Sequence, residues 1–62
     1  MKTIDEITKS IERIKKQIVD TKLRASQYEA RRDFFMVGLE NERISQYVGQ
    51  ISALEWVLDE NN

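Results

Sequence analysis

Isoleucine recurs at every third or fourth position near the start of this chain. The alternating steps of three and four are the a/d spacing of a coiled-coil seam, and a β-branched residue at every seam position favours close helix packing. Isoleucine at both a and d also favours assemblies of more than two strands. The pattern predicts a helix that associates with other copies through this seam, with capture of a foreign helix in a groove as the alternative. The seam residues are Ile4, Ile7, Ile11, Ile14 and Ile18.

A second seam follows in the other half of the chain, and its phase differs from that of the first. Extended along one straight helix, the first seam would miss the second by two residues, or about 200° of rotation. Stutters and stammers shift a repeat by four or three residues, so neither explains the offset. A break between two helices is the simpler prediction, and a continuous or kinked helix is the alternative. The second seam comprises Ile44, Tyr47, Ile51, Leu54 and Leu58.

The residues between the seams suggest where the break lies. Gly38 suits the left-handed position that follows a helix end, and Asn41 can cap the next helix. Thr3 and Glu6 have the spacing of a capping box at the start of the first helix. We therefore predict one all-α domain over residues 1–62, an antiparallel helical hairpin. Its predicted parts are a helix at about 3–37, a turn at about 38–40 and a helix at about 41–59.

These lengths predict an overhang. The first helix would be about 52 Å long and the second about 29 Å, so the second would reach back only to around Ile18. An exposed isoleucine forgoes about 1.5–3 kcal/mol of burial. We expect Ile4, Ile7, Ile11, Ile14 and Ile18 to form the oligomer interface of a coiled coil or of a four-helix bundle made from two hairpins.

Three small residues and the single tryptophan share another face of the second helix. Ser45, Gly49, Ser52 and Trp56 fall within about 60° of one another. Small residues allow a close backbone approach, and tryptophan is a common interface anchor. We predict a partner contact here, with the chain's own subunit or with a target. The alternative is a solvent face with a half-buried tryptophan.

The basic residues concentrate in the first half of the chain. Residues 1–32 carry a net charge of +4 and residues 33–62 a net charge of −5. Lys22, Arg24, Arg31 and Arg32 surround Tyr28 and could meet phosphates, which makes a nucleic-acid contact the alternative function. Attraction to the acidic second helix is the favoured interpretation, because acidic side chains dilute the basic cluster.

The composition argues against most chemistry. The chain has no His and no Cys, so the usual zinc ligands and disulfides are missing. No phosphate-binding or nucleophile motif occurs, and a two-helix chain offers no pocket of ordinary ligand size. We expect no enzyme activity, cofactor, metal site or small-molecule substrate. With no apolar run of membrane-spanning length, we expect a cytoplasmic protein.

One stretch of the chain, residues 31–58, carries a resemblance. From RRDFF at its start through QISALEWVL at its end, it resembles short helical proteins encoded by phages and mobile elements of Gram-positive bacteria. The resemblance spans about half of the chain and carries over no functional residue. It implies a setting in which very small proteins bind and inhibit, or redirect, another protein. We therefore predict a non-enzymatic protein–protein interaction module that acts as an oligomer, for example as such an inhibitor or regulator. A small RNA- or DNA-binding regulator is the alternative.

Overall fold

The computed structural model describes residues 3–60, which form two helices of equal length. Helix α1 runs over Ile4–Ala30 and helix α2 over Phe34–Glu60, with 27 residues each. They pack side by side as an antiparallel hairpin with overall dimensions of 45 × 15 × 14 Å. The all-α helical hairpin predicted from the sequence is confirmed.

Thr3 caps the start of α1, as its sequence position predicted. Its side-chain oxygen accepts a hydrogen bond from the backbone N–H of Glu6 at 3.2 Å. This satisfies one of the N–H groups that the first turn of a helix leaves without a partner. Asp5 and Glu6 also place negative charge where the helix dipole favours it.

Three residues, Arg31 to Asp33, reverse the chain. The N–H of Arg32 donates to the carbonyl of Glu29, and the N–H of Asp33 donates to that of Tyr28, both at 2.9 Å. This pair of bonds is the Schellman motif, which satisfies carbonyls at a helix end. Arg32 supplies its left-handed residue, with φ of +59°. Glycine is the usual occupant of that position, because other residues lose about 1–2 kcal/mol there.

Asp33 also starts the second helix. Its side-chain oxygen accepts a hydrogen bond from the backbone N–H of Met36 at 3.3 Å. Its backbone carbonyl accepts one from the N–H of Val37 at 3.1 Å. The turn predicted at about 38–40 is therefore misplaced. Gly38 lies within α2 and has no positive φ. Asp33 both completes the Schellman motif and caps α2. Three residues are therefore enough to connect the two helices.

Moving the turn changes which residues face each other. Positions equally far from Arg32 lie at the same level, as Arg24 and Glu40 show, since each is eight residues away and the two are hydrogen-bonded. Ile51 therefore lies at the level of Arg13, next to Ile14, and not of Tyr28. The overhang predicted for α1 was wrong, because α2 extends along the whole isoleucine seam.

The interior of the hairpin is narrow. Ile7 and Ile11 are only 4% and 7% exposed, and Ala25, Thr21 and Glu40 are also buried. Most other inward-facing side chains remain half-buried, since two helices cannot enclose a seam from every side. The half-buried apolar and tyrosine side chains are Ile14, Ile18, Tyr28, Met36, Val37, Ile44, Tyr47, Ile51, Leu54, Val57 and Leu58.

Candidate protein-interaction surfaces

The isoleucine seam packs largely within its own chain. Ile7 and Ile11 belong to the core, and Ile14 and Ile18 are half-buried against α2. Ile4 is the exception, at 53% exposed. An oligomer contact through all five residues stays a prediction, but the overhang of α1 that suggested it is absent, because α2 extends along the whole seam. What this seam still offers to a second molecule is its half-buried edge.

A buried ionic cluster ties α1 to α2 near the turn. Glu40 is 3% exposed, and its Oε2 accepts from the Nε of Arg24 at 3.1 Å. Arg43 lies 3.7 Å from the other carboxylate oxygen. Arg24 also donates to the hydroxyl of Thr21, which in turn donates to the carbonyl of Gln17 at 2.7 Å. The cluster fixes the level at which the two helices pair.

Sequence reasoning missed Glu40 because it placed that residue in the turn. The signal was present, however. Counting back from Ile44 in steps of four and three reaches Glu40 and then Val37, so a carboxylate occupies a position of the second seam. A charged residue at such a position is rarely buried without a partner, and Arg24 is that partner.

The side of α2 that points away from α1 is exposed and poor in charge. We call it the outer face of α2. A rotation of about 100° per residue places its members within about 60° of one another. Two large aromatic side chains lie at its ends, Phe34 at 66% and Trp56 at 64% exposed. The outer face consists of Phe34, Gly38, Ser45, Gly49, Ser52 and Trp56.

All four residues predicted as a partner contact thus lie on one exposed face. Phe34 and Gly38 extend that face toward the turn, and the misplaced turn had concealed them. Leu39 and Phe35 are exposed on one flank of the face. Glu42 is also exposed on that flank, about 20° beyond Gly49 around the helix. Arg43 is the only basic residue of α2, and its side chain lies beside Glu40 instead.

The two glycines of α2 have no role in the packing of the hairpin. A Cβ atom built on Gly38 or Gly49 would meet nothing within 4 Å, and neither residue has a positive φ. Glycine inside a helix costs about 1 kcal/mol relative to alanine. Their presence weakens α2 without any gain that is visible within a single chain.

The predicted nucleic-acid contact is not gathered into one surface. Arg31 and Arg32 lie in the turn, whereas Arg24 is bonded to Glu40. Lys22 and Arg24 are two positions apart on α1, so they point about 160° away from each other. Lys22 therefore lies on a different side of α1 from Arg24, and a nucleic-acid contact through all four residues stays a prediction.

Across residues 3–60, no group of three or more acidic, histidine or cysteine side chains is placed so that it could hold a metal ion. Neither α1 nor α2 combines the length and apolar character that crossing a membrane requires. Comparisons of the chain with models of protein families, with curated proteins and with solved structures find no match.

Proposed function

We propose that this chain is a non-enzymatic protein-interaction module that works as an oligomer. The observation that carries the proposal is the area of its surface. The hairpin exposes 4972 Å², whereas a compact monomer of this mass exposes about 4,200 Å². The difference, about 800 Å², is what each partner buries in a protein–protein interface of standard size.

The shape of the molecule accounts for this excess. Its radius of gyration is 14.3 Å, against about 11 Å for a compact chain of the same length. Two helices side by side form a rod, and α2 exposes large apolar side chains, among them Phe34, Leu39 and Trp56. Exposed apolar side chains that lie together often mark an interaction site. Self-association is the direct way to cover the outer face.

The proposed role is regulation or inhibition of another protein by the assembled form. The resemblance to small phage and mobile-element proteins supports it, as does a surface that offers contact area without a catalytic group. The nucleic-acid alternative has less support. Arg24 is engaged by Glu40, and the remaining basic side chains are divided between the turn and separate sides of α1.

Sedimentation equilibrium and thermal unfolding together test the proposal. At micromolar concentration we expect a mass above that of one chain. We also expect a melting temperature that rises with protein concentration, because association stabilises only the folded chain. A helical protein that keeps the mass of one chain and a constant melting temperature over this range would contradict the proposal.

A further inference from the structure

We propose that two copies of this chain associate through the outer faces of α2, antiparallel to each other, with the two-fold axis at Ser45. The inference rests on the proposed self-association and names its interface. Three independent features of the outer face lead to this arrangement: the order of its aromatic and small residues, its two unexplained glycines, and the charges beyond its ends.

The outer face is complementary to a reversed copy of itself. Trp56 follows Ser45 by eleven residues and Phe34 precedes it by eleven. In an antiparallel pair centred on Ser45, the tryptophan of each copy therefore lies at the level of the phenylalanine of the other. Aromatic side chains pair favourably in edge-to-face or offset geometry. Gly38 and Ser52 are related in the same way, each seven residues from the centre.

Small side chains in the middle of the face permit close packing. Ser45 lies between Gly38 and Gly49, and the space outside both glycines is open. Helices with small residues at their contact approach to the short end of the usual 8–10 Å range. The aromatic groups at the two ends then meet without holding the backbones apart. The arrangement supplies a reason for the glycines that a single hairpin does not.

Charge favours the antiparallel order over the parallel one. Asp59 lies fourteen residues after Ser45, and Arg31 fourteen residues before it. The acidic end of one α2, with Glu60, therefore lies beside the basic turn of the other copy, with Arg32. A parallel pair would instead place the two acidic ends together. A two-fold contact of this kind uses the same patch twice and closes on itself as a dimer.

Single-cysteine crosslinking tests the position of the two-fold axis, since the natural chain has no cysteine. In Ser45→Cys the two thiols lie together at the axis. Under mild oxidation it should form disulfide dimers at least about tenfold faster than Gln50→Cys, because paired thiols have a high effective concentration. Gln50 is the matched control, exposed on α2 but about 140° away around the helix.

A charge-reversal pair tests the antiparallel order. One variant carries Arg31→Glu with Arg32→Glu, and the other Asp59→Lys with Glu60→Lys. Two copies of the same variant repel each other at both ends of the dimer, so each variant alone should have a dissociation constant raised by about tenfold. An equimolar mixture attracts at both ends and should return to the wild-type value. Circular dichroism checks that each variant keeps its helices.

The outcomes separate this interface from the proposed function. A monomeric wild-type chain overturns both. An oligomer in which Ser45→Cys crosslinks no faster than Gln50→Cys overturns the interface and leaves self-association standing. In that case, dissociation by Val48→Lys would place the contact at the edge of the isoleucine seam. Reversed variants that do not restore each other overturn the antiparallel order.

Discussion

Glu40 is the most informative position for stability, because it is a charged side chain in the middle of the hairpin. Glu40→Gln keeps the shape of the side chain and removes its charge. A hydrogen bond to a charged group contributes about 1.5–3 kcal/mol. The side chains of Arg24 and Arg43 are 46% and 59% exposed, so water replaces part of the interaction that they lose with the Glu40 carboxylate. We therefore expect a net loss of about 1–2 kcal/mol in the free energy of unfolding.

Urea and thermal unfolding followed by circular dichroism measure this loss. At about 4–8 °C per kcal/mol for a domain of this size, the melting temperature should fall by roughly 5–15 °C. Protein concentration must be held constant, because association also shifts the midpoint. Glu12→Gln is the matched control. It removes the same charge from an exposed position of α1, away from the outer face of α2, and should change stability by less than about 0.5 kcal/mol.

Replacing the same carboxylate by an apolar group has a different expected result. Glu40→Met fills the space and removes the cost of burying a charge. Arg24 and Arg43 are half-exposed and can be solvated by water, so they are not left as buried unpaired charges. We expect Glu40→Met to be at least as stable as Glu40→Gln. The account of a buried, hydrogen-bonded carboxylate would be refuted if Glu40→Gln unfolded like the wild type, or if Glu40→Met were clearly the weaker of the two.

Three further substitutions are expected to change the urea midpoint in the same assay. Arg32→Gly should stabilise the hairpin by up to about 1 kcal/mol, since the position has a φ of +59°; a loss would mean that the arginine side chain contributes more than its backbone strain costs. Asp33→Ala should destabilise by about 1 kcal/mol through loss of the bond to the N–H of Met36, and an unchanged midpoint would show that the turn needs no cap. Gly49→Ala should stabilise α2 by about 1 kcal/mol, because the added methyl group meets nothing in its own chain. The same substitution should weaken dimerisation, because the methyl group lies in the proposed interface. Equal dimerisation by Gly49→Ala and the wild type would argue against that interface.

Spacing alone predicted the hairpin because seam periodicity is a local property of the sequence. The offset between the two seams required a break, and the structure has one. The second seam, Ile44 to Leu58, does face α1, as its half-buried side chains show. The face that contains Ser45 and Trp56 was also identified correctly as one surface, since rotation around a helix axis follows directly from residue number.

The position of the turn could not be obtained in the same way, because a local glycine preference competed there with a larger effect that depends on the packed structure. Glycine at a left-handed position is worth about 1 kcal/mol, which favoured Gly38. Placing Arg32 there instead lets α2 cover Ile7 and Ile11. Each large apolar side chain that becomes buried contributes about 1.5–3 kcal/mol. Burial therefore outweighs the turn preference, and only the packed hairpin shows how many side chains it covers.

The misplaced turn also concealed what is unusual about α2. Residues on any one face of an α-helix recur in steps of three and four, so the spacing of the outer face carries no information by itself. Its composition does, because it combines small side chains with two glycines that weaken the helix. The offset that required a break between the seams gives α2 two ordered rows on opposite sides. One row packs against α1. The other has the small residues of a close helix contact, and it is exposed in the hairpin. We therefore propose that its complement lies in another molecule. In a reversed copy of the row, Trp56 lies at the level of Phe34 and Gly38 at the level of Ser52.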